Sequence, residues 1–500
     1  MLSSMIEISN LTVSYGKRRV LKDLSFAIKE GEFVLITGPT GCGKSTLALC
    51  LTGLIPHTKP AVMRGRIRID GLETGSHSVS EIAKRIGIVF QNPRTQLFHS
   101  TVRDEVGFAP HNLKLPSGEI ERRVAYSMAS TGILHLGDRM LHTMSEGELQ
   151  RVAIASILSM RPKVIVLDEP TANLDWSGVD LLVSTLSRLN RDFGITLLVI
   201  EHRLSAIYPH CTRVLIMKDG EAVRWGEPED VFEDKKKLVS LGLRFPWRHV
   251  KRGPERYVPE GIDPPEGEAW PLVELRDIDA GYGKTQVLKG ISLSIYPGEF
   301  IALVGNNGTG KTTLARVIAG LLPPKRGKVI WSKSLRRLPM GRRVGFIFQN
   351  THEQLLTSSV EEEASLGPES FGLDVASWCN RALEMTDLSR LRNRVPASLS
   401  VGERQRCILA SVLASDPALF ILDEPTVGQD WMHLSMVMNY LQFLRRSGKA
   451  VLMITHDDKL VCRFARRVIL LKRGRIEADG TPVRGFRNRE EKNGISTVVL

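Results

Sequence analysis

Short, wholly apolar runs alternate with amphipathic stretches along the chain. Phe33-Val-Leu-Ile-Thr37 predicts a buried strand, residues 44–52 a helix, and residues 164–167 and 195–200 further buried strands. Strands alternating with helices at this spacing predict an α/β fold built on a mainly parallel sheet. Residues 6–13 and 24–28 read instead as an antiparallel β subdomain, and the span from 92 to about 144 as mostly helical.

The pattern occurs twice. Val13-Ser-Tyr15-Gly-Lys followed by Val20-Leu-Lys-Asp-Leu-Ser recurs as Ala280-Gly-Tyr282-Gly-Lys followed by Val287-Leu-Lys-Gly-Ile-Ser. Phe90-Gln91-Asn recurs as Phe348-Gln349-Asn, Leu167-Asp-Glu-Pro-Thr as Leu422-Asp-Glu-Pro-Thr, and His202 as His456, all in the same order. A period of about 250 residues is a duplicated domain and not a solenoid unit. The expected organisation is a first domain over 1–235, a linker over 236–271, a second domain over 272–482 and a tail over 483–500. The stretch from Lys235 to Pro271 carries Lys-Lys-Lys and six prolines between 246 and 271, which forbid a continuous helix and predict an extended tether.

Composition narrows the picture. With 42% hydrophobic and 25% charged residues, each half has enough apolar sequence for a core of its own. The longest apolar runs fall far short of the roughly 20 residues that cross a bilayer. The N-terminus shows no basic n-region followed by an apolar h-region, so a cytosolic chain is expected. Six scattered cysteines, with no Cys-x-x-Cys pair, argue against a disulfide framework and against a zinc or iron–sulfur site; they are expected to be reduced thiols, several of them buried. The net charge of +13 suits nucleic acid, an anionic membrane face or a polyphosphate ligand, and does not choose among them.

The chemistry lies in the repeated motifs. Gly38-Pro39-Thr40-Gly41-Cys42-Gly43-Lys44-Ser45-Thr46 and Gly305-Asn306-Asn307-Gly308-Thr309-Gly310-Lys311-Thr312-Thr313 each follow an apolar strand and open a helix. That context marks a P-loop, in which backbone N–H groups cradle phosphates, Lys44 or Lys311 reaches the β/γ-phosphates and Ser45 or Thr312 binds Mg²⁺. Asp168 and Asp423 end apolar strands, where they can hold the Mg²⁺ shell, and Glu169 and Glu424 follow to orient or deprotonate an attacking water. An isolated Asp-Glu pair can simply end a strand and begin a turn; the upstream P-loops favour the catalytic reading. His202 and His456 recur at nearly the same distance past these acids as γ-phosphate sensors, although a lone histidine after a strand is more often structural. Tyr15 and Tyr282, flanked by glycine in a turn, suit adenine stacking or a plain core role.

Just before the acidic strand of each copy stand Met144-Ser145-Glu-Gly147-Glu-Leu-Gln-Arg151 and Leu399-Ser400-Val-Gly402-Glu-Arg-Gln-Arg406. Serine and glycine at a helix N-terminus can hold a γ-phosphate, and a serine N-cap would look the same. With the P-loops and acids, these segments resemble the signature of ABC ATPases, and the resemblance covers nearly the whole chain outside the linker. It implies two P-loop ABC ATPase domains, each a mainly parallel α/β sheet core with an antiparallel β subdomain and a helical subdomain. It also implies Gln91 and Gln349 as Q-loop glutamines reaching Mg²⁺ and the water, ATP and Mg²⁺ as ligands, and head-to-tail pairing of the two domains. ATP on Lys44 would then meet Ser400 and Gly402, and ATP on Lys311 would meet Ser145 and Gly147. Neither copy keeps Leu-Ser-Gly-Gly-Gln: Glu146 or Val401 replaces the first glycine, and Glu148 or Glu403 the glutamine.

Gln91-Asn-Pro-Arg-Thr-Gln96-Leu-Phe and Gln349-Asn-Thr-His-Glu-Gln354-Leu-Leu look like the ATPases of energy-coupling-factor and cobalt-type importers. This implies a transmembrane coupling subunit and a small substrate-binding membrane subunit as partners, a peripheral place on the cytoplasmic membrane face, and no nucleic-acid partner. The acids Asp104, Glu105, Glu362 and Glu363 fit docking of that coupling subunit, while Thr101-x-x-Asp104 and Ser359-x-x-Glu362 equally fit helix capping boxes. A sugar-type importer ATPase or a soluble tandem ABC protein acting on ribosomes is the alternative.

Overall fold

The computed structural model describes residues 4–172, 174–243, 270–348, 354–425 and 431–480. Gln349, the tail and most of the expected linker lie outside the described residues. The chain divides into two compact units, Met1–His249 and Val250–Leu500.

In the first unit the antiparallel subdomain comprises β1 (Ser4–Tyr15), β2 (Arg18–Lys29), β4 (Val62–Ile69) and β5 (Leu72–Glu73), in the order β2-β1-β4-β5. A six-stranded sheet follows the order β10-β9-β3-β8-β7-β6, formed by β3 (Phe33–Thr37), β6 (Ile86–Val89), β7 (Val164–Asp168), β8 (Thr196–Ile200), β9 (Arg213–Lys218) and β10 (Glu221–Gly226). All its pairings are parallel except that of β9 with β10.

The continuous apolar runs are explained by burial on both faces. Val34 and Ile36 of β3, Val164 and Val166 of β7 and Leu198 and Ile200 of β8 face a core shared with the antiparallel sheet and helix Lys44–Leu51. The alternate residues Phe33, Leu35, Ile165, Leu167, Leu197 and Val199 face a second core against helices Glu146–Leu158 and Trp176–Phe193. The span expected to be helical forms a satellite core of its own from helices Val102–Asn112, Ser117–Ser130 and the start of Glu146–Leu158.

The second unit repeats the plan. Strands β11 (Val273–Tyr282), β12 (Thr285–Ile295) and β14 (Arg326–Trp331) form a three-stranded antiparallel sheet. Strands β13 (Phe300–Val304), β15 (Val344–Ile347), β16 (Leu419–Asp423), β17 (Ala450–Ile454), β18 (Arg467–Lys472) and β19 (Arg475–Gly480) form a six-stranded sheet ordered β15-β16-β17-β13-β18-β19.

One boundary differs from expectation. The start of the expected linker is part of the first unit, because helix Lys235–Ser240 and the turn after it bury Leu238, Leu241 and Leu243 in the second core. The prolines that suggest a tether begin only at 246. Replacing a buried leucine by alanine costs about 2–5 kcal/mol. Leu243→Ala is expected to lower stability by about 2 kcal/mol or more in urea denaturation of the full chain; unchanged stability would return 236–243 to the tether.

Candidate active site

In both units the P-loop bends tightly between strand and helix. Gly38 and Gly305 lie so close to the neighbouring strand that a Cβ would sit 2.1 Å from the Met217 carbonyl oxygen and 2.3 Å from that of Leu471. The helices Lys44–Leu51 and Lys311–Ile318 begin behind Gly43 and Gly310, which supply no side-chain cap. Their first-turn N–H groups are therefore open to an anion. Lys44 is buried, and its Nζ donates to the carbonyls of Gly38 and Pro39, both at 2.8 Å. Lys311 Nζ does the same to Gly305 at 2.7 Å and Asn306 at 2.9 Å. The loop thus holds its lysine beneath the cradle.

The acids follow from strand register. Asp168 and Asp423 are the last residues of β7 and β16 and lie opposite Ile200 and Ile454. Thr312 Oγ1 donates to Asp423 Oδ2 at 2.7 Å, and Ser45 hydrogen-bonds Asp168 in the same way. A hydroxyl beside a buried carboxylate at the P-loop is the hard-oxygen donor set that Mg²⁺ takes.

Glu169 and Glu424 turn with φ of +47° and +52°, an uncommon region for residues with a side chain. Each places its carboxylate against a histidine: His202 Nε2 lies 3.2 Å from Glu169 Oε1, and His456 Nε2 lies 3.3 Å from Glu424 Oε1. Gln91 Nε2 donates to Glu169 Oε2 at 2.9 Å, and His456 Nε2 also meets Asn307 Oδ1 of the P-loop at 3.1 Å. Burial pushes the Glu169 carboxyl up, but the His202 hydrogen bond and charge, with Lys44, outweigh it and hold the group below its ordinary value. The structure therefore gathers Lys44, Ser45, Gln91, Asp168, Glu169 and His202 in one unit, and Lys311, Thr312, Asp423, Glu424 and His456 in the other.

Tyr15 and Tyr282 stand at the ends of β1 and β11, before the hairpin turns. Tyr282 is 45% exposed, and its hydroxyl accepts from Arg316 Nη1 at 3.1 Å; Tyr15 is half-buried on the core. Ser145 and Ser400 are exposed N-caps in full capping boxes: Ser145 N–H donates to Glu148 Oε2 and Ser400 N–H to Glu403 Oε2, each at 2.8 Å. The glutamates that replace glutamine in the signature complete these boxes.

Several structural roles were not read from the sequence. Gln96 accepts from Phe90 N–H at 3.2 Å and donates to the Ile88 carbonyl at 2.9 Å, and Gln354 does the same with Phe348 and Phe346 at 2.8 and 2.9 Å. Each glutamine thus pins the loop back onto its strand. Arg94 Nε donates to Glu146 Oε1 at 2.6 Å, tying that loop to the signature helix. The expectation that Glu105 and Glu363 dock a partner is corrected: both are buried and turned inward. Glu105 accepts from the N–H groups of Phe98 and His99, at 3.0 and 2.9 Å, and Glu363 from those of Leu356 and Thr357, at 2.9 and 3.1 Å. Asp104 and Glu362 stay exposed and bond Thr101 and Ser358 at 2.6 Å. The signal for the inward pair was its recurrence after the same glutamine in each copy.

The profile of the ABC transporter family matches residues 21–172 and 288–427, which together are more than half of the chain. The chain belongs to the ABC transporter family. A protein of Methanosarcina mazei named as an ABC transporter ATP-binding protein is 35% identical over 99% of this chain and 92% of its own length. A Bacillus subtilis protein, YkoD, named for HMP/thiamine import, is 34% identical over 96% of this chain and 92% of its own length. The structure of the archaeal ribosome recycling factor aABCE1, solved with the stalk protein aP1, matches 97% of this chain and 92% of its own at 22% identity, with a TM-score of 0.67. At that identity the likeness is one of fold. The ABC match in both halves makes this protein a tandem ATP-binding ATPase. Among the described residues no helix is long and apolar enough to cross a membrane.

Burial pushes the Asp168 carboxyl up to about 6; the Ser45 hydrogen bond opposes the rise and the Glu169 charge adds to it. The folded state then holds a proton that the unfolded state releases, so stability falls as pH climbs from about 4 through about 6. Asp168→Asn removes that cost. It is expected to stabilise the nucleotide-free chain at pH 7.5 by on the order of 2 kcal/mol in urea denaturation, with the gain shrinking toward pH 4; an equal effect at both pH values would contradict the assignment.

Proposed function

We propose that this ABC ATPase powers an importer of the energy-coupling-factor type, taking up a vitamin or a transition-metal ion through membrane subunits on separate chains. The observation that carries the proposal is an exposed apolar residue at the same place in each unit. Phe98 is 65% exposed and Leu356 80%, each two residues past the clamping glutamine and each held through its backbone N–H by a buried carboxylate. A single exposed apolar residue is ordinary on a protein surface; what supports an anchor for a partner is its recurrence at the same place in both units, on a loop pinned from behind. The partner that fits is a helix of the membrane coupling subunit, with the exposed Asp104 and Glu362 beside it for basic side chains. The YkoD relative, named for HMP/thiamine import, supports the importer reading.

At each site, the P-loop amides and lysine would hold the ATP phosphates. Ser45, Asp168 and Gln91 would hold Mg²⁺ in the first unit, and Thr312, Asp423 and Gln349 in the second; the ion supplies charge neutralisation at the β/γ-phosphates. Glu169 and Glu424 orient and accept a proton from the attacking water, and His202 and His456 contact the γ-phosphate. Tyr15 and Tyr282 stack on adenine. Under the head-to-tail pairing that the family resemblance implies, Ser145 with Gly147, and Ser400 with Gly402, would complete the site of the opposite domain.

Both units keep lysine, acids and histidine, so both hydrolyse ATP. Glu169→Gln and Glu424→Gln are each expected to lower steady-state ATPase, the full loss of general-base catalysis being about 10²–10⁴-fold. An unchanged rate in one variant and a dead enzyme in the other would leave a single working site.

Docking is tested on membranes. An apolar interface anchor is worth about 2 kcal/mol or more. The double variant Phe98→Asp, Leu356→Asp is expected to lose co-purification with integral membrane proteins at least about tenfold while ATPase of the free chain changes by less than about twofold. Retention on membranes would overturn the docking face, and recovery of the unmodified chain with ribosomes would overturn the transport reading.

A further inference from the structure

Glu201 precedes His202 and is 2% exposed. Its carboxylate accepts four donors from two separate segments: Oε1 from the N–H groups of His202 at 2.7 Å and Arg203 at 2.9 Å, Oε2 from Thr171 N–H at 3.2 Å and the Thr171 hydroxyl at 2.5 Å. Arg203 Nη1 crosses the same gap, donating to the carbonyls of Thr171 at 3.1 Å and Leu174 at 3.2 Å. Glu201 N–H donates to the Ile36 carbonyl at 3.0 Å, on the strand that leads into the P-loop, and Glu169 N–H donates to the Ile200 carbonyl at 2.9 Å. One buried anion therefore joins the histidine loop, the segment that follows Asp168-Glu169 and the strand beneath the P-loop. Hydrogen bonds to an ionised acceptor are about twice as strong as neutral ones, and in a buried setting each holds its donor closely.

The second unit carries different residues at these two positions. Thr455 stands where Glu201 does and Asp457 where Arg203 does. The Thr455 hydroxyl accepts from Asp457 N–H at 3.1 Å, a contact within its own loop. A single hydroxyl oxygen, with two lone pairs, cannot gather four donors from two segments.

We propose that Glu201 is a positioning residue of the first ATP site, fixing His202 and Thr171 as one rigid frame around Glu169, and that it makes the two sites of this chain unequal. It acts through His202 and Thr171 and touches neither nucleotide nor water. The proposal rests on the reading of Asp168, Glu169 and His202 as a hydrolytic site. A catalytic group displaced by about 1 Å can lose about 10²-fold in rate, so loosening this frame acts on the transition state more than on ATP binding.

The test is Glu201→Gln in the full chain. The amide keeps the volume, and its oxygen can still accept from His202 and Arg203, but its NH₂ then faces the N–H of Thr171. Trapping with MgATP and vanadate mimics the transition state, and ultraviolet cleavage of the trapped chain cuts near the P-loop that holds it, either near 44 or near 311; the fragments are told apart by mass. The expected result is cleavage near 44 reduced about tenfold or more, cleavage near 311 retained, and affinity for a fluorescent ATP analogue within about twofold of the unmodified chain. Undiminished cleavage near 44, equal loss at both positions, or loss of ATP affinity would each overturn the proposal. Absence of cleavage near 44 in the unmodified chain would overturn the hydrolytic reading of the first site itself, and the proposal with it.

Discussion

The site depends above all on the parallel register of three central strands. In the first unit β3, β8 and β7 pair so that Ile36 lies opposite Ile200 and Ile200 opposite Asp168. In the second, Leu303 lies opposite Ile454 and Ile454 opposite Asp423. Three strand ends therefore reach one edge of the sheet together, and the P-loop, the acid pair and the histidine each begin within a residue or two of that edge. A shift by one residue would send every alternating side chain to the opposite core. The apolar content of both faces, Val34 and Ile36 on one and Phe33 and Leu35 on the other, fixes the register and hence the site.

The two kinds of helix N-terminus in each unit are prepared differently. The P-loop helices start behind glycine with no side-chain cap, leaving N–H groups for phosphate. The signature helices start behind serine in a closed capping box, with Glu148 or Glu403 already on the serine. A phosphate arriving at the signature must compete with that carboxylate for the same donors, and a lost cap is worth about 1 kcal/mol. Like charges also repel at this range. Of the two kinds of helix start, the signature is thus the weaker anion holder.

Much of this was legible in sequence because the chemistry is local. A P-loop needs its glycines, lysine and hydroxyl within a few residues, and an acid at a strand end follows directly from the apolar run before it. Duplication then made each assignment twice. The parts that were not legible depend on long-range placement. Glu105 and Glu363 look like surface acids in a helix first turn, and only the fold shows that the loop folds back onto them. Glu201 reads as one more acid beside a histidine; its second partner, Thr171, lies 30 residues away in the chain. The three leucines after residue 235 follow a lysine run that suggests a tether, and their burial depends on a groove formed by distant elements.

The loop after each Q-loop glutamine shows how these remote contacts bear on function. Gln91 touches the Glu169 carboxylate, Gln96 is pinned to the strand end, and Phe98 is held outward by Glu105. Because these anchors fall within eight residues of one another, a push on Phe98 has little slack to be absorbed before it reaches Glu169. In the first unit Arg94 extends the same loop to Glu146 of the signature helix. Alone, a half-exposed pair of this kind contributes no more than about 1 kcal/mol. Its value lies in direction: it links the loop that carries Phe98 to the helix start that carries Ser145. In the second unit His352 and Val401 occupy these positions, and valine has no charge to pair. The departures from the usual signature are therefore not equivalent losses; in the first unit the substitution adds a contact that the second cannot make.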